Sequence, residues 1–283
     1  MYRTNMSMGE AAIPVSIHVY CPHEAYDRGL ENWSLQALQR QQDTQEHYTL
    51  VRCINTVLSK MRVEKAFAPN VAAASASIVG SSELNRRIRL GTTSLYRKKE
   101  LPADGVFLEE GDAFIMSAAG CPLILATAGD YLITAHAGRD SLLDRTAIAE
   151  ATPGRKHFSV VNAIIEAFVR KQMRPQQIAM CMQYAIPANM FGHRFDHPRH
   201  GAFNRALGTF VNYRWPGCAE EKDGTLFLNL ESLFADQARE AGVRHVWHMN
   251  SLADFPLLAH THDGKNPLAR NLFVVKREKY DAS

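Results

Sequence analysis

The chain reads as one mixed α/β domain with a layered sheet and flanking helices, and three observations predict that class. From Ile88 onward strand-like and helix-like segments alternate, the pattern of sheets covered by helices. The 283 residues, 46% of them hydrophobic, suffice for one large core. No internal repeat or heptad run indicates a solenoid or a coiled coil.

Residues 1–42 carry Pro14, Pro22 and Gly29 among polar residues, then a glutamine-rich stretch from Gln36 to Gln45, and read as an N-terminal extension to a domain spanning 43–283. Asp43-Thr44-Gln45-Glu46 has capping-box chemistry, and Leu50, Ile54, Val57, Leu58 and Met61 follow at helical spacing, predicting an amphipathic helix to about Lys65. The Ala- and Ser-rich segment 69–83 holds a strand around Ile78. Val106–Leu108 and Ala113–Met116 are short apolar strands. Leu123–Ala126 and Tyr131–Ala135, joined by Ala128-Gly129-Asp130, predict a tight hairpin. Ser159–Met173 places Val161, Ile164, Ile165 and Phe168 on one face before Pro175, as a crossover helix does. Ile178–Tyr184 is a buried strand in which Cys181 and its methionines pack. A helix starting at Asn229 buries Leu230, Leu233, Phe234 and Ala241 and stops at Gly242. Val243–Met249 and Asn271–Lys276 are the last strands.

A net charge of +3 and a pI near 8.6 are too mildly basic to indicate nucleic acid. The tryptophans and tyrosines are not interleaved with basic residues as a single-strand platform requires. Arg86, Arg87 and Arg89 with Arg97, Lys98 and Lys99 form the one basic cluster, read as a solvated strand face. Five cysteines without CxxC spacing argue against a disulfide framework and a zinc ribbon, and favour a reducing compartment. No signal-peptide segment and no run of about 20 apolar residues is present, so the expectation is a cytoplasmic protein without a membrane partner. Secretion without a cleaved signal leaves no mark in a sequence, and oligomeric state is not legible.

Cys121 and His136 carry the chemistry. The predicted hairpin brings them face to face, and a thiol beside an imidazole is the minimum for a thiolate nucleophile or for two ligands of a zinc site. The bland alternative is a buried small hydrophobe and a structural histidine. Gly192-His193-Arg194-Phe195-Asp196-His197-Pro198-Arg199-His200 is the densest polar cluster; read as a surface loop, it still offers Asp196 as the carboxylate to orient His136. His18, Cys21 and His23 are close in sequence but lack further ligands. Trp215-Pro216-Gly217-Cys218 reads as a turn with an anchoring aromatic.

Over roughly residues 85–278 the order of pieces resembles the laccase-domain (polyphenol oxidase-like) family. Gly111-Asp112-Ala113-Phe114-Ile115-Met116 resembles that family's Asp-Ala strand, Ala119-Gly120-Cys121-Pro122 its Ala-Asp-Cys-x-Pro, and His136-Ala137-Gly138 the start of its His-Ala-Gly-Trp-Arg-Gly. Leu228-Asn229-Leu230 through Ala241-Gly242-Val243 is similar to its Leu-Asp-Leu…Gly-Val helix, and His260-Thr261-His262-Asp263-Gly264 with Arg270-Asn271 falls where it carries Ser-x-Arg-Arg-x-Gly and Gly-Arg. The resemblance implies zinc-dependent purine nucleoside phosphorolysis. It also implies departures: Leu90, in Ile88-Arg89-Leu90-Gly91, stands for the family's first metal-binding histidine, Gly120 aligns with its cysteine, and Arg139-Asp140 replaces Trp-Arg. Gly120-Cys121 followed fifteen residues later by His136 resembles the signature of cytotoxic necrotizing factor-like deamidase domains, which share the fold and use a metal-free Cys–His dyad.

Three functions follow as expectations. The first is a cofactor-free Cys–His amidase or deamidase with Cys121, His136 and Asp196, taking a small-molecule or protein amide, with an oxyanion hole near Ser117–Gly120. The second is a divergent zinc nucleoside phosphorylase with Cys121, His136 and His262 as metal ligands. The third is a non-catalytic binding descendant.

Overall fold

The computed structural model describes residues 2–20, 45–69, 71, 76–97, 101–149, 157–254 and 271–280. In chain order these form β1 (Tyr2–Met8), β2 (Ile13–Tyr20), α1 (Gln45–Lys60), β3 (Lys65–Phe67), β4 (Ile78–Val79), β5 (Arg86–Leu90), β6 (Thr93–Arg97), β7 (Gly105–Leu108), β8 (Ala113–Ala118), β9 (Leu123–Ala128) and β10 (Tyr131–His136). There follow α2 (Arg139–Leu142), α3 (Arg145–Ala149), α4 (Val160–Val169), β11 (Ala179–Gln183), β12 (Gly192–Arg194), α5 (Gly201–Arg214), β13 (Ala219–Lys222), β14 (Thr225–Leu228), α6 (Leu230–Glu240), β15 (His245–Met249) and β16 (Asn271–Arg277).

Two mixed sheets and a small third make a single α/β domain: seven strands in the order β1-β2-β16-β8-β3-β6-β5, six in the order β15-β11-β9-β10-β7-β4, and three in the order β12-β14-β13. Side-chain alternation sets the layers. In β8, Ala113 and Ile115 face α1, while Phe114 and Met116 face the six-stranded sheet; in β16, Leu272 and Val274 divide from Phe273 and Val275 the same way. Helix α1 closes the outer face with Ile54, Val57, Leu58 and Met61. The six-stranded sheet is covered on its other side by α4 and α6, so β9 is buried on both faces and its sequence is apolar at every position but Thr127 rather than alternating. The segment from β10 through α4 to β11 is a crossover, since both strands run antiparallel to β9, which lies between them.

Three of the helices, α1, α4 and α6, end in the same motif. In α1, Arg62 takes φ +52° and Val63 N donates to Leu58 O at 2.9 Å, closing a Schellman turn. Gln172 (φ +64°) and Gly242 (φ +89°) do the same for α4 and α6. Gly242 ends its helix as expected, whereas α1 stops at Lys60, short of the predicted Lys65, which begins β3.

Residues 2–20 correct the reading of 1–42 as an extension outside the domain. They form β1 and β2, and β2 lies against β16 within the seven-stranded sheet. Ile13, Val15, Ile17 and Val19 repeat with period two and are fully buried, and Pro14 is accommodated near the start of its strand. Among the basic cluster, Arg86, Arg87 and Arg89 are exposed on edge strand β5 as expected, but Arg97 is buried; Lys98 and Lys99 lie outside the described residues. No helix among the described residues is long and apolar enough to cross a membrane.

Candidate active site

Three adjacent strand ends build the site. Hairpin β9–β10 forms with Ala128 opposite Tyr131 and Leu123 opposite His136, and Ala137 N donates to Pro122 O at 2.9 Å, carrying the register one pair further. Cys121 therefore stands opposite Gly138, not opposite His136, and reaches the imidazole along the diagonal of one sheet face. Gly138 makes this possible. A Cβ at that position would lie 2.9 Å from His136 Cε1 and Nε2 and 3.1 Å from Cys121 Sγ.

On the other side of β10, Ala135 pairs with Gly105, so the next pair is His136 with Asp104, and His136 N donates to Asp104 O at 2.8 Å. Asp104 is fully buried. Its Oδ1 lies 3.0 Å from His136 Nδ1 and accepts from Ser141 Oγ at 2.7 Å, while Oδ2 accepts from Ala76 N at 2.7 Å. Ser141 Oγ, from α2, also lies 3.1 Å from His136 Nδ1. With Nδ1 held there, the ring turns Nε2 toward Gly138 and the sulfur. Burial alone would lower the affinity of His136 for a proton; the Cys121 sulfur and the Asp104 carboxylate outweigh it and raise the pKa to about 10. The arrangement favours an imidazolium lodged between a sulfur and a carboxylate. Cys121 keeps partial solvent access.

Asp196 is not part of this group. It pairs with Arg194, whose Nε donates to Asp196 Oδ1 at 2.8 Å, and both side chains are exposed. His197 accepts the backbone N–H groups of Arg199 and His200 through Nδ1, ordering the entry to α5, and its ring lies tilted against that of His200, with centroids 4.7 Å apart. Of the polar cluster only His193 approaches, with Nδ1 accepting from Arg139 Nη1 at 3.4 Å. The carboxylate beside His136 is Asp104, which sequence reading missed although it stands at the foot of the predicted strand Val106–Leu108; the pairing of β7 with β10 is what reveals it.

Leu90 is not at the site either. It is buried in the α1-side cluster with Ile54, Leu95 and Ile115, whereas Cys121 packs on the separate core between the two sheets. The resemblance therefore aligned a core leucine with a metal-ligand position, and its identity does not bear on this site. His18 is buried on β2, its pKa lowered by burial and by Arg3; Cys21, His23, His260 and His262 lie outside the described residues. Cys181 is a packed core thiol, and Trp215 anchors its turn edge-on to His157.

The metal implied by the resemblance can be tested on the donors present. Cys121 Sγ and His136 Nε2 supply two, the second backed by a carboxylate as metal-bound histidines are. Among the described residues no group of three His, Cys, Asp or Glu side chains comes together to hold a metal ion, and a catalytic zinc takes three protein ligands. The described donors do not fit one.

No protein-family model matches the chain, and no curated protein matches it by sequence. Its fold does have counterparts. YlmD from Geobacillus stearothermophilus superposes with a TM-score of 0.63 at 15% identity, covering 98% of this chain and 100% of that one. The hypothetical protein YfiH of Bacillus licheniformis gives 0.61 at 13%, covering 88% and 86%. NMB0706 of Neisseria meningitidis, described under DUF152, gives 0.59 at 13%, covering 98% and 99%. These are laccase-domain, polyphenol oxidase-like proteins, and the likeness gives this chain their fold.

Proposed function

We propose that the protein is a cofactor-free thiol hydrolase acting on an amide, with Cys121 as nucleophile, His136 as acid and base, and Asp104 in the orienting role that the sequence suggested for Asp196. The observation that carries this reading is the position of His136 between Asp104, on Nδ1, and the Cys121 sulfur, on the Nε2 side. Cys121 Sγ attacks the carboxamide carbon, and the C–N bond breaks as His136 passes its Nε2 proton to the departing amine. His136, now neutral, takes a proton from water, whose oxygen attacks the thioester; acid leaves and the thiolate is restored. Asp104 holds the ring orientation throughout and opposes the positive charge while His136 is protonated. Ammonia or an amine and a carboxylic acid are the products, the substrate being a small-molecule or protein amide.

The test is alkylation of Cys121 by iodoacetamide at neutral pH, located by peptide mapping. The wild-type rate is expected to exceed that of His136→Ala by at least about tenfold, since the imidazolium holds the thiolate. Equal rates sink the thiol enzyme.

A second reading draws on the shared fold, which spans nearly the whole chain: divergent, zinc-dependent phosphorolysis of a purine nucleoside. It would take its metal on Cys121 and His136, with His262, which lies outside the described residues, as the third ligand. Free purine base released only in the presence of phosphate and zinc distinguishes it from amide hydrolysis, which releases amine without either.

A further inference from the structure

Beyond Gly138 the chain turns from β10 into α2, and its first two helical residues are charged. Arg139 Nε donates to Asp140 Oδ1 at 2.7 Å, and Arg145 Nη1, from α3, donates to Asp140 Oδ2 at 3.1 Å. One carboxylate thus holds two guanidinium groups. Both lie over the ring of Phe203 on α5, with Cζ 5.8 Å from the centroid for Arg139 and 4.9 Å for Arg145. His193, buried on β12, accepts from Arg139 Nη1 and fixes that side chain from a further direction.

Asp140 is committed to this role. Burial opposes its ionisation, but the hydrogen bond and charge of Arg139 and the charge of Arg145 hold it below the usual carboxylate range. Two cations against one anion leave a charge of +1 in the group. Guanidinium groups held over an aromatic ring and clamped by a carboxylate lose little freedom on binding, and their planar forks match a carboxylate or a phosphate. Both remain accessible, with side-chain exposures of 22% for Arg139 and 53% for Arg145. Arg139 follows directly on Gly138, at which a Cβ would lie 2.9 Å from Nε2 and 3.1 Å from Sγ, and Arg145 is tied to Arg139 through Asp140.

Resting on the thiol-hydrolase reading, we infer that Arg139 and Arg145 form a recognition wall for an anion, so that the amide substrate carries a carboxylate or phosphate close to its scissile carbonyl. Neutral amides of the same size are poor substrates.

Iodoacetate and iodoacetamide, which differ in charge and little in size, test this on the intact protein at Cys121. The iodoacetate/iodoacetamide rate ratio, normalised to that of free 2-mercaptoethanol, is expected to be raised about tenfold, as local electrostatic steering allows. It should fall at least threefold in Arg139→Gln and in Arg145→Gln, stay raised in Arg139→Lys, and decline with added salt, which screens exposed charges over about 10 Å at 0.1 M. Arg145→Gln, at the more exposed position, keeps the test valid if Arg139→Gln fails to fold. Rapid alkylation with a ratio that neither glutamine variant changes overturns the inference alone. Slow alkylation by both reagents, unchanged in His136→Ala, overturns the thiol hydrolase and the recognition wall with it.

Discussion

Cys121, just ahead of β9, and Cys181, on the neighbouring strand β11 of the same sheet, differ in almost everything that governs a thiol. Cys181 sits in mid-strand on β11 opposite Leu125, fully enclosed, and burial pushes its pKa up to about 12 against the opposing hydrogen bond from Gln183 Nε2. Cys121 lies two residues before β9 begins, partly open to solvent, with an imidazole on one side and a glycine opposite. The strand interior is closed on both faces and sets a neutral amide, that of Gln183, beside the Cys181 thiol. At the strand ends the ladder gives out, and side chains from three strands can meet with one side still open. Position along the strand, more than residue type, separates the packed cysteine from the chemical one.

Labelling the native protein with iodoacetamide gives the widest separation. Cys121 is expected to react at neutral pH while Cys181 and Cys218, both pushed up to about 12 by burial, stay silent until unfolding. A rise from 9.0 to about 12 lowers the thiolate fraction on the order of a thousandfold. Comparable labelling of Cys181 in the folded state would break the comparison.

A smaller effect sharpens it through pH. The folded-state pKa of His136 is raised from 6.5 to about 10, so its contribution to stability is complete below about 6.5 and is lost progressively as pH rises through about 10. The denaturant midpoint of the wild type should accordingly fall between those limits. Asp104→Asn should flatten that fall and slow Cys121 alkylation by about tenfold through loss of imidazole orientation; a wild-type slope retained in full by Asp104→Asn would remove Asp104 from the pair. The smallest expected effect is that of Asp196→Asn. Its partner Arg194 and its own exposure place it outside the machinery, so the alkylation rate should not move, and a tenfold loss would restore Asp196 as the third member.

The hairpin was legible because β-formers flank a turn tripeptide, and the C-terminal helix because Gly242 marks its stop. Arg62 and Gln172 gave no such sign: each takes the left-handed conformation with a side chain that ordinarily avoids it, held by the 6→1 hydrogen bond and the packing beyond. The strand pattern of Ile13–Val19 was present but lacked a visible partner, which is β16, more than 250 residues downstream. Cys121 and His136 could be paired from sequence because one short turn connects them. Asp104 could not, since its place beside His136 depends on how β7 pairs with β10. Asp196 misled because charge density in the sequence there serves an ion pair and the entry to a helix.

The bare backbone at Gly138 has a consequence for inhibition. A single methyl at that position would stand 3.1 Å from the sulfur and 2.9 Å from Nε2, closer than a side-chain carbon can sit, so the imidazole or the thiol would have to give way. Gly138→Ala would act as a wedge set against both reacting groups at once, and a small-molecule antagonist that brings a methyl to the same point would press on the pair in the same way.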